Sequence, residues 1–207
     1  MSPAAPRVVL ASRSPARLAT LQSAGIDPEV VVSGFDEESI DLADPAELVA
    51  ALARAKAESV AAGLPAGDDL LVIGCDSVLD FEGEVHGKPA DAEQAALRWR
   101  RIRGRSGVLR TGHHLLLRRG GVVTSRTAVE STVVWFADLT DDEIEAYVAT
   151  GEPVEVAGAF TIDGLGGAYI TRLEGDPHAV VGISLPLLRT MVGDLGLAWH
   201  SLWRPRG

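Results

Sequence analysis

The chain has 207 residues, 46% of them hydrophobic and 23% charged, with a formal net charge of −10. That length supports one sizeable core, read as a single domain over 1–207, and the acidic balance argues against polymeric DNA or RNA as a partner. The single cysteine excludes an internal disulfide, no apolar run approaches the roughly 20 residues of a membrane span, and no signal peptide is read at the N-terminus, so the expectation is a cytoplasmic protein with no membrane partner.

In chain order, Val8-Val9-Leu10-Ala11 predicts a buried strand over 8–12. Ser14 as N-cap and Pro15 as first helical residue open a helix over 15–24, with Leu18, Leu21 and Ala24 on one side. A strand feeding a helix N-terminus presents free backbone N–H groups suited to a phosphate, and Arg17 on the first turn can reach the same anion. An ordinary capped helix is the alternative. A strand over 29–33 and a loop rich in acids (Asp36, Glu37, Glu38, Asp41, Asp44) come next. A helix over 45–62 begins at Asp44-Pro45, and Val72-Ile73-Gly74 marks a buried strand. Lys88-Pro89 precedes a helix over 91–102. Two long strands, 107–118 and 122–136, meet at the turn signal Arg119-Gly120-Gly121. Thr140 with Glu143 forms a capping box for a helix over 141–149. A glycine-rich loop at 164–167, a strand near 168–173 and a helix near 185–194 complete a mixed α/β pattern.

The candidate chemistry lies at strand and helix ends. Asp76, in Gly74-Cys75-Asp76-Ser77 at the end of an apolar strand, can hold a hard divalent cation or accept a proton from water; a turn-forming role is the alternative. Cys75 reads as a small core residue. His113 and His114, adjacent on a strand, point to opposite faces and do not bind a metal jointly. Lys88 sits in a rigid turn, and Lys56 has its stem unobstructed between Ala55 and Ala57. Ser12, Arg17, Lys56 and Lys88 together make a candidate polyphosphate cradle, with Asp76 and Glu37 as metal carboxylates; singly, each lysine is equally a surface charge. Arg98, Arg100, Arg101, Arg103, Arg105 and Arg110 are expected to form a solvated face.

The order of these stretches resembles the Maf family of nucleoside triphosphate pyrophosphatases, from about Val8 to Leu188. The matching segments are Leu10-Ala11-Ser12-Arg13-Ser14-Pro15-Ala16-Arg17, Ala55-Lys56-Ala57, Gly74-Cys75-Asp76-Ser77, Gly83 to Pro89, Gly104-Arg105-Ser106 and Thr111-Gly112. Later come Tyr147, Gly151-Glu152-Pro153, Ala157-Gly158-Ala159-Phe160, Gly164-Leu165-Gly166-Gly167 and Val181 to Pro186. The resemblance implies a two-lobed α/β fold around an elongated mixed central sheet, similar to the inosine triphosphatase fold. It also implies a cytoplasmic homodimer that uses a divalent cation, Mg2+ or Mn2+, to cleave a nucleoside triphosphate substrate to the monophosphate and pyrophosphate. On this reading Asp76 is catalytic and, with Glu37, binds the metal. Ser12, Arg17, Lys56 and Lys88 bind phosphate.

Four positions depart from the family pattern. Ala16 stands where the family has a first arginine, and Ser77 where it has threonine. Val156 replaces a lysine, and Asp163 replaces a glutamine. Ser77 and Asp163 are therefore the candidates for base selectivity. An ionised Asp163 offers acceptors only, which complements the paired donors of a guanine-type or modified base such as 7-methylguanine rather than a pyrimidine; a turn cap before Gly164 is its alternative role. Two rival functions are a nucleotide-binding regulator of cell division without significant turnover and a phosphatase releasing orthophosphate.

Overall fold

The computed structural model describes residues 5–204, so the ends of the expected 1–207 domain, residues 1–4 and 205–207, lie outside the described residues. Seven strands form one sheet: β1 (Arg7–Ala11), β2 (Glu29–Val30), β3 (Leu70–Phe81), β4 (Glu84–His86), β5 (Ser106–Arg119), β6 (Val122–Phe136) and β7 (Ile170–Glu174). Their order is β2-β1-β3-β5-β6-β7, with β4 set against the far end of β3. β1 runs parallel to β2 and β3, and the other pairings are antiparallel. The helices are α1 (Pro15–Ser23), α2 (Pro45–Gly63), α3 (Ala92–Ile102), α4 (Asp141–Ala149), α5 (Pro177–Val181) and α6 (Leu185–Asp194). No helix among the described residues is long and apolar enough to cross a membrane.

The period of two along the strands divides the core. Leu10, Leu71, Ile73, Cys75, Leu115 and Leu117 face α1 and α6, with Leu21, Leu188 and Met191. Val9, Ala11, Leu70, Val72 and Leu116 face α2, with Ala57 and Val60. Farther along β3, Leu79 and Phe81 enter a separate aromatic cluster with Trp99, Phe136, Tyr147 and Phe160 beneath α3 and α4. β3 thus runs from one core to another, which is why it extends over 12 residues rather than the short span its apolar run suggested.

The expected β1, α1, α2, α3, α4 and α6 and the long β5–β6 hairpin are all present. Besides the longer β3, two segments and the arginine cluster differ from expectation. The strand expected over 29–33 pairs only at Glu29–Val30. Leu165–Tyr169 is a 3-10 turn, so the following strand begins at Ile170. The six arginines do not form one solvated face. Arg98 is 8% exposed, because it shares the inward stripe of α3 with Ala95, Trp99 and Ile102. Arg100 and Arg103 pair with Asp141, Arg101 with Glu84, Arg105 with Glu82 and Arg110 with Asp80.

Candidate functional site

The site lies at a break in the edge of β3. β1 covers residues 70–74 of that strand and β4 covers 79–81, so 75–78 have no strand beside them on that side. The gap opens just beyond the carboxyl end of β1, the position where open α/β sheets bind ligands. Strand alternation then sends Asp76 to the α2 face and Ser77 to the α1 face.

On the α2 face, Lys56 Nζ donates to Asp76 Oδ1 at 2.5 Å and lies 2.9 Å from Glu37 Oε1. Lys56 and Asp76 are 8% and 7% exposed, whereas the Glu37 side chain, on a 3-10 turn at Glu37–Ser39, is 54% exposed. Two glycines bring α2 this close. A Cβ at Gly74 would stand 2.2 Å from the Ala53 carbonyl oxygen, and one at Gly112, which pairs with Asp76 across the sheet, would stand 2.2 Å from that of Val49. Burial pushes the Asp76 carboxyl above the ordinary carboxylate range and the Glu37 charge adds to it, while the Lys56 and Arg17 charges oppose the shift without cancelling it. A carboxylate so placed is a stronger base than one in water.

On the α1 face, Arg17 organises the opposite wall. Its Nε donates to the Gly182 carbonyl at 2.8 Å, Nη1 to Ser12 Oγ at 3.2 Å and to the Cys75 carbonyl at 2.9 Å, and Nη2 to Ser77 Oγ at 3.0 Å. These contacts engage four of the five guanidinium N–H donors, leaving one for a ligand. The chain of hydroxyls continues from Ser77 to Thr111 Oγ1 at 2.9 Å, and Thr111 donates to the Ala179 carbonyl at 2.8 Å. Ser77 therefore gives its proton to Thr111 and presents only a lone pair. Ser12 Oγ also accepts the Ser14 amide, and Ser14 caps α1 through the Arg17 amide, as expected from Ser14-Pro15. Cys75 is fully buried and its thiol is pushed up to about 11, an inert core residue.

Of the expected cradle, Lys56 stands with the carboxylates Asp76 and Glu37 on one face, while Ser12 and Arg17 stand together on the other, beside the base-selectivity candidate Ser77. Lys88 is exposed just beyond the end of β4, and no bond among the described residues joins it to either group. Asp163 is exposed and makes no hydrogen bond among the described residues, so a turn-capping bond is not what it supplies.

Three residues that the sequence named without a role at the site support it. Thr111 completes the hydroxyl chain. Arg98 Nη1 donates to the carbonyl of Gly87, next to Lys88, at 2.6 Å; its place three residues after Ala95 and four before Ile102 was the available signal. Glu152 accepts from Tyr147 Oη, Thr161 Oγ1 and the amides of Leu165 and Gly166 at 2.6–2.9 Å, gathering the loop that carries Asp163. Burial works against its ionisation, yet those donors hold its carboxyl at about 2.

His113 locks the wall from behind. Its Nδ1–H donates to the Thr111 carbonyl at 3.1 Å, and its Nε2 accepts from the Ser184 amide at 2.8 Å, which joins β5 to the start of α6. His114, on the opposite face as alternation requires, meets Thr127 at 2.7 Å instead.

Among the described residues no three His, Cys, Asp or Glu side chains converge as a metal cage. A magnesium-type ion needs less: one or two carboxylates plus substrate phosphates. Asp76 and Glu37 each engage Lys56 through one oxygen, and the second oxygen of each has no hydrogen-bond partner among the described residues, so the donor set fits such an ion.

A sequence model of the family described as Maf-like protein matches residues 7–195. A nucleoside triphosphate pyrophosphatase of Cutibacterium acnes is 55% identical over 205 residues, covering 96% of each chain. Proteins of the same description from Streptomyces avermitilis and Salinispora tropica are 56% and 58% identical, over 97% and 95% of this chain and 96% and 87% of theirs. With that match across nearly its whole length, and with Ser12, Arg17, Lys56 and Asp76 gathered where β1 ends partway along the edge of β3, the chain belongs to the Maf family.

Proposed function

We propose that this protein hydrolyses a nucleoside triphosphate at the α–β phosphoanhydride, releasing the monophosphate and pyrophosphate. The observation that carries the reading is the buried Lys56–Asp76 pair at the open edge of β3. Burying an ion pair brings little net stability, so its presence in a cleft points to chemistry. The relatives' shared description as nucleoside triphosphate pyrophosphatases supports the same substrate class.

Lys56 is the natural ligand for an incoming triphosphate, and moving onto it frees Asp76 to take a proton from water. The water oxygen attacks the α phosphorus, the bond to the bridging oxygen breaks, and pyrophosphate leaves with the electron pair. Lys88 and the remaining Arg17 N–H neutralise the developing charge, and Ser12 with the α1 N-terminus supplies neutral donors. Mg2+ or Mn2+, held by Asp76 and Glu37, would supply further charge neutralisation at the phosphates. The acceptor-only character of Ser77 and Asp163 supports a base edge rich in donors, as in guanine or 7-methylguanine. A cytoplasmic homodimer rests on the family resemblance, and sedimentation equilibrium measures its mass.

The test incubates the purified chain with uridine, thymidine, guanosine and 7-methylguanosine triphosphates, with and without Mg2+ or Mn2+, and quantifies pyrophosphate against orthophosphate. Asp76→Asn should lower turnover at least about 100-fold with the fold intact, the scale of a lost general base. Orthophosphate as the main product would make the protein a phosphatase. Tight nucleotide binding without turnover would make it a regulator. Pyrimidine preference unchanged by Asp163→Gln would remove the base assignment alone.

A further inference from the structure

A cavity of about 190 Å³ lies between β4 and α3, lined among others by Phe81, His86, Gln94, Arg98 and Arg101 and by none of the residues of the catalytic gap. Its volume equals about six waters, room for a tetrahedral oxyanion with part of its hydration shell and too little for a nucleotide.

Its polar groups are arranged for a negative guest. Arg98 is 8% exposed, and its one partner is the neutral Gly87 carbonyl; among the described residues it makes no ion pair. A buried guanidinium without a counter-charge is costly, and both burial and the neighbouring Arg101 charge pull its pKa below the ordinary value. His86 Nε2 is buried without a hydrogen-bond partner, with Glu84 Oε2 at 3.7 Å, beyond hydrogen-bond reach. Gln94 Oε1 accepts the Ala90 amide, which leaves the NH2 end as a donor. Arg101 stands at the rim, 5.8 Å over the Phe81 ring, and bonds to exposed Glu84 at 2.7 Å. Glu84 occupies Arg101 and leaves Arg98 unmatched.

We infer that this cavity binds a small phosphate-class oxyanion, held by the Arg98 guanidinium with the Arg101 and Gln94 donors and by His86 in its Nε2–H tautomer. The anion supplies the counter-charge that Arg98 lacks, in the forked geometry that guanidinium offers to tetrahedral oxyanions. Glu84 competes for Arg101 and gates the affinity.

Equilibrium dialysis of the full chain against labelled orthophosphate, with a parallel series in pyrophosphate, tests the assignment. One bound phosphate should survive Lys88→Ala, because the cavity is separate from the catalytic gap. Arg98→Met should weaken that binding at least about tenfold, the scale of a lost charged hydrogen bond, and Glu84→Gln should strengthen it by about threefold. Arg101→Ala, a change on the exposed rim, should weaken it several-fold and keeps the test decisive if Arg98→Met does not fold. Tighter binding of pyrophosphate than of orthophosphate would identify the reaction product as the guest; the reverse order would identify free phosphate. Loss of all phosphate binding in Lys88→Ala, no binding by the parent chain, or unchanged binding in Arg101→Ala and Glu84→Gln would overturn the inference.

Discussion

Gly74→Ala asks whether the closeness of α2 to the sheet is what makes the site. The added methyl would stand 2.2 Å from the Ala53 carbonyl oxygen, 2.9 Å from the Ala57 methyl and 3.1 Å from the Ala57 amide nitrogen. Cβ atoms keep at least 3.0 Å from such neighbours, so α2 must retreat by about 0.8 Å. The clash is with backbone, which cannot swing aside, and overpacking of this kind costs about 1–3 kcal/mol, or roughly 2–12 °C in Tm for a chain of this size. Lys56 rides on the turn that moves, so its 2.5 Å bond to Asp76 opens. Misplacement on the ångström scale costs about 100-fold in rate. Thermal unfolding and a pyrophosphate-release assay measure the two effects on one preparation. Gly67→Ala is the control, since a methyl there meets nothing within 4 Å. Wild-type Tm and turnover in Gly74→Ala would refute the claim that helix contact, rather than the side chains alone, sets the pair.

Lys88→Ala should weaken triphosphate hydrolysis by about 1.5–3 kcal/mol in kcat/KM, whereas Arg101→Ala should change it little; the opposite ranking would move the phosphate site. Glu152→Gln, which replaces an acceptor of four bonds by a group that brings its own donors, should cost about 2 kcal/mol of stability and loosen the 161–167 loop, read as a lowered urea midpoint and raised KM. Burial first, then the Arg17 charge, hold His113 down at about 4 against 6.5 when unfolded. Its contribution is whole above pH 6.5 and is lost as pH falls from 6.5 to 4, because the unfolded chain takes up the proton first, for about 3 kcal/mol in all. Urea midpoints across that window should fall, and His113→Gln should flatten the slope; an unchanged slope would refute the buried neutral imidazole.

Local chemistry made much of the architecture readable. Ser14-Pro15, Asp44-Pro45 and the Thr140–Glu143 box start helices through bonds made within a few residues, and the structure contains each of them. What stayed hidden depends on distant partners. β4 and α5 are short pieces with little periodicity of their own, held by β3 and by the Thr111–Ala179 bond. Lys56 and Asp76 were each visible as candidates, but their pairing depends on Gly74 and Gly112 admitting α2, a contact that no local pattern encodes. Arg98 shows a converse failure: its helical phase with Trp99 was legible, and its charge obscured it.

The Arg17–Gly182 bond closes a span of 165 residues. During synthesis β1 and α1 emerge early, while residue 182 follows only after roughly 10–30 s at ordinary elongation rates. Until then Arg17 lacks the acceptor that orients its Nε, and His113 lacks the Ser184 amide that braces β5. A nascent chain can bring Lys56 to Asp76 once residue 119 is out, yet it has only one wall of the cleft. Hydrolytic competence therefore awaits the last stretch of translation, which brings the Gly182 carbonyl and the Ser184 amide to the wall that Arg17 and His113 organise.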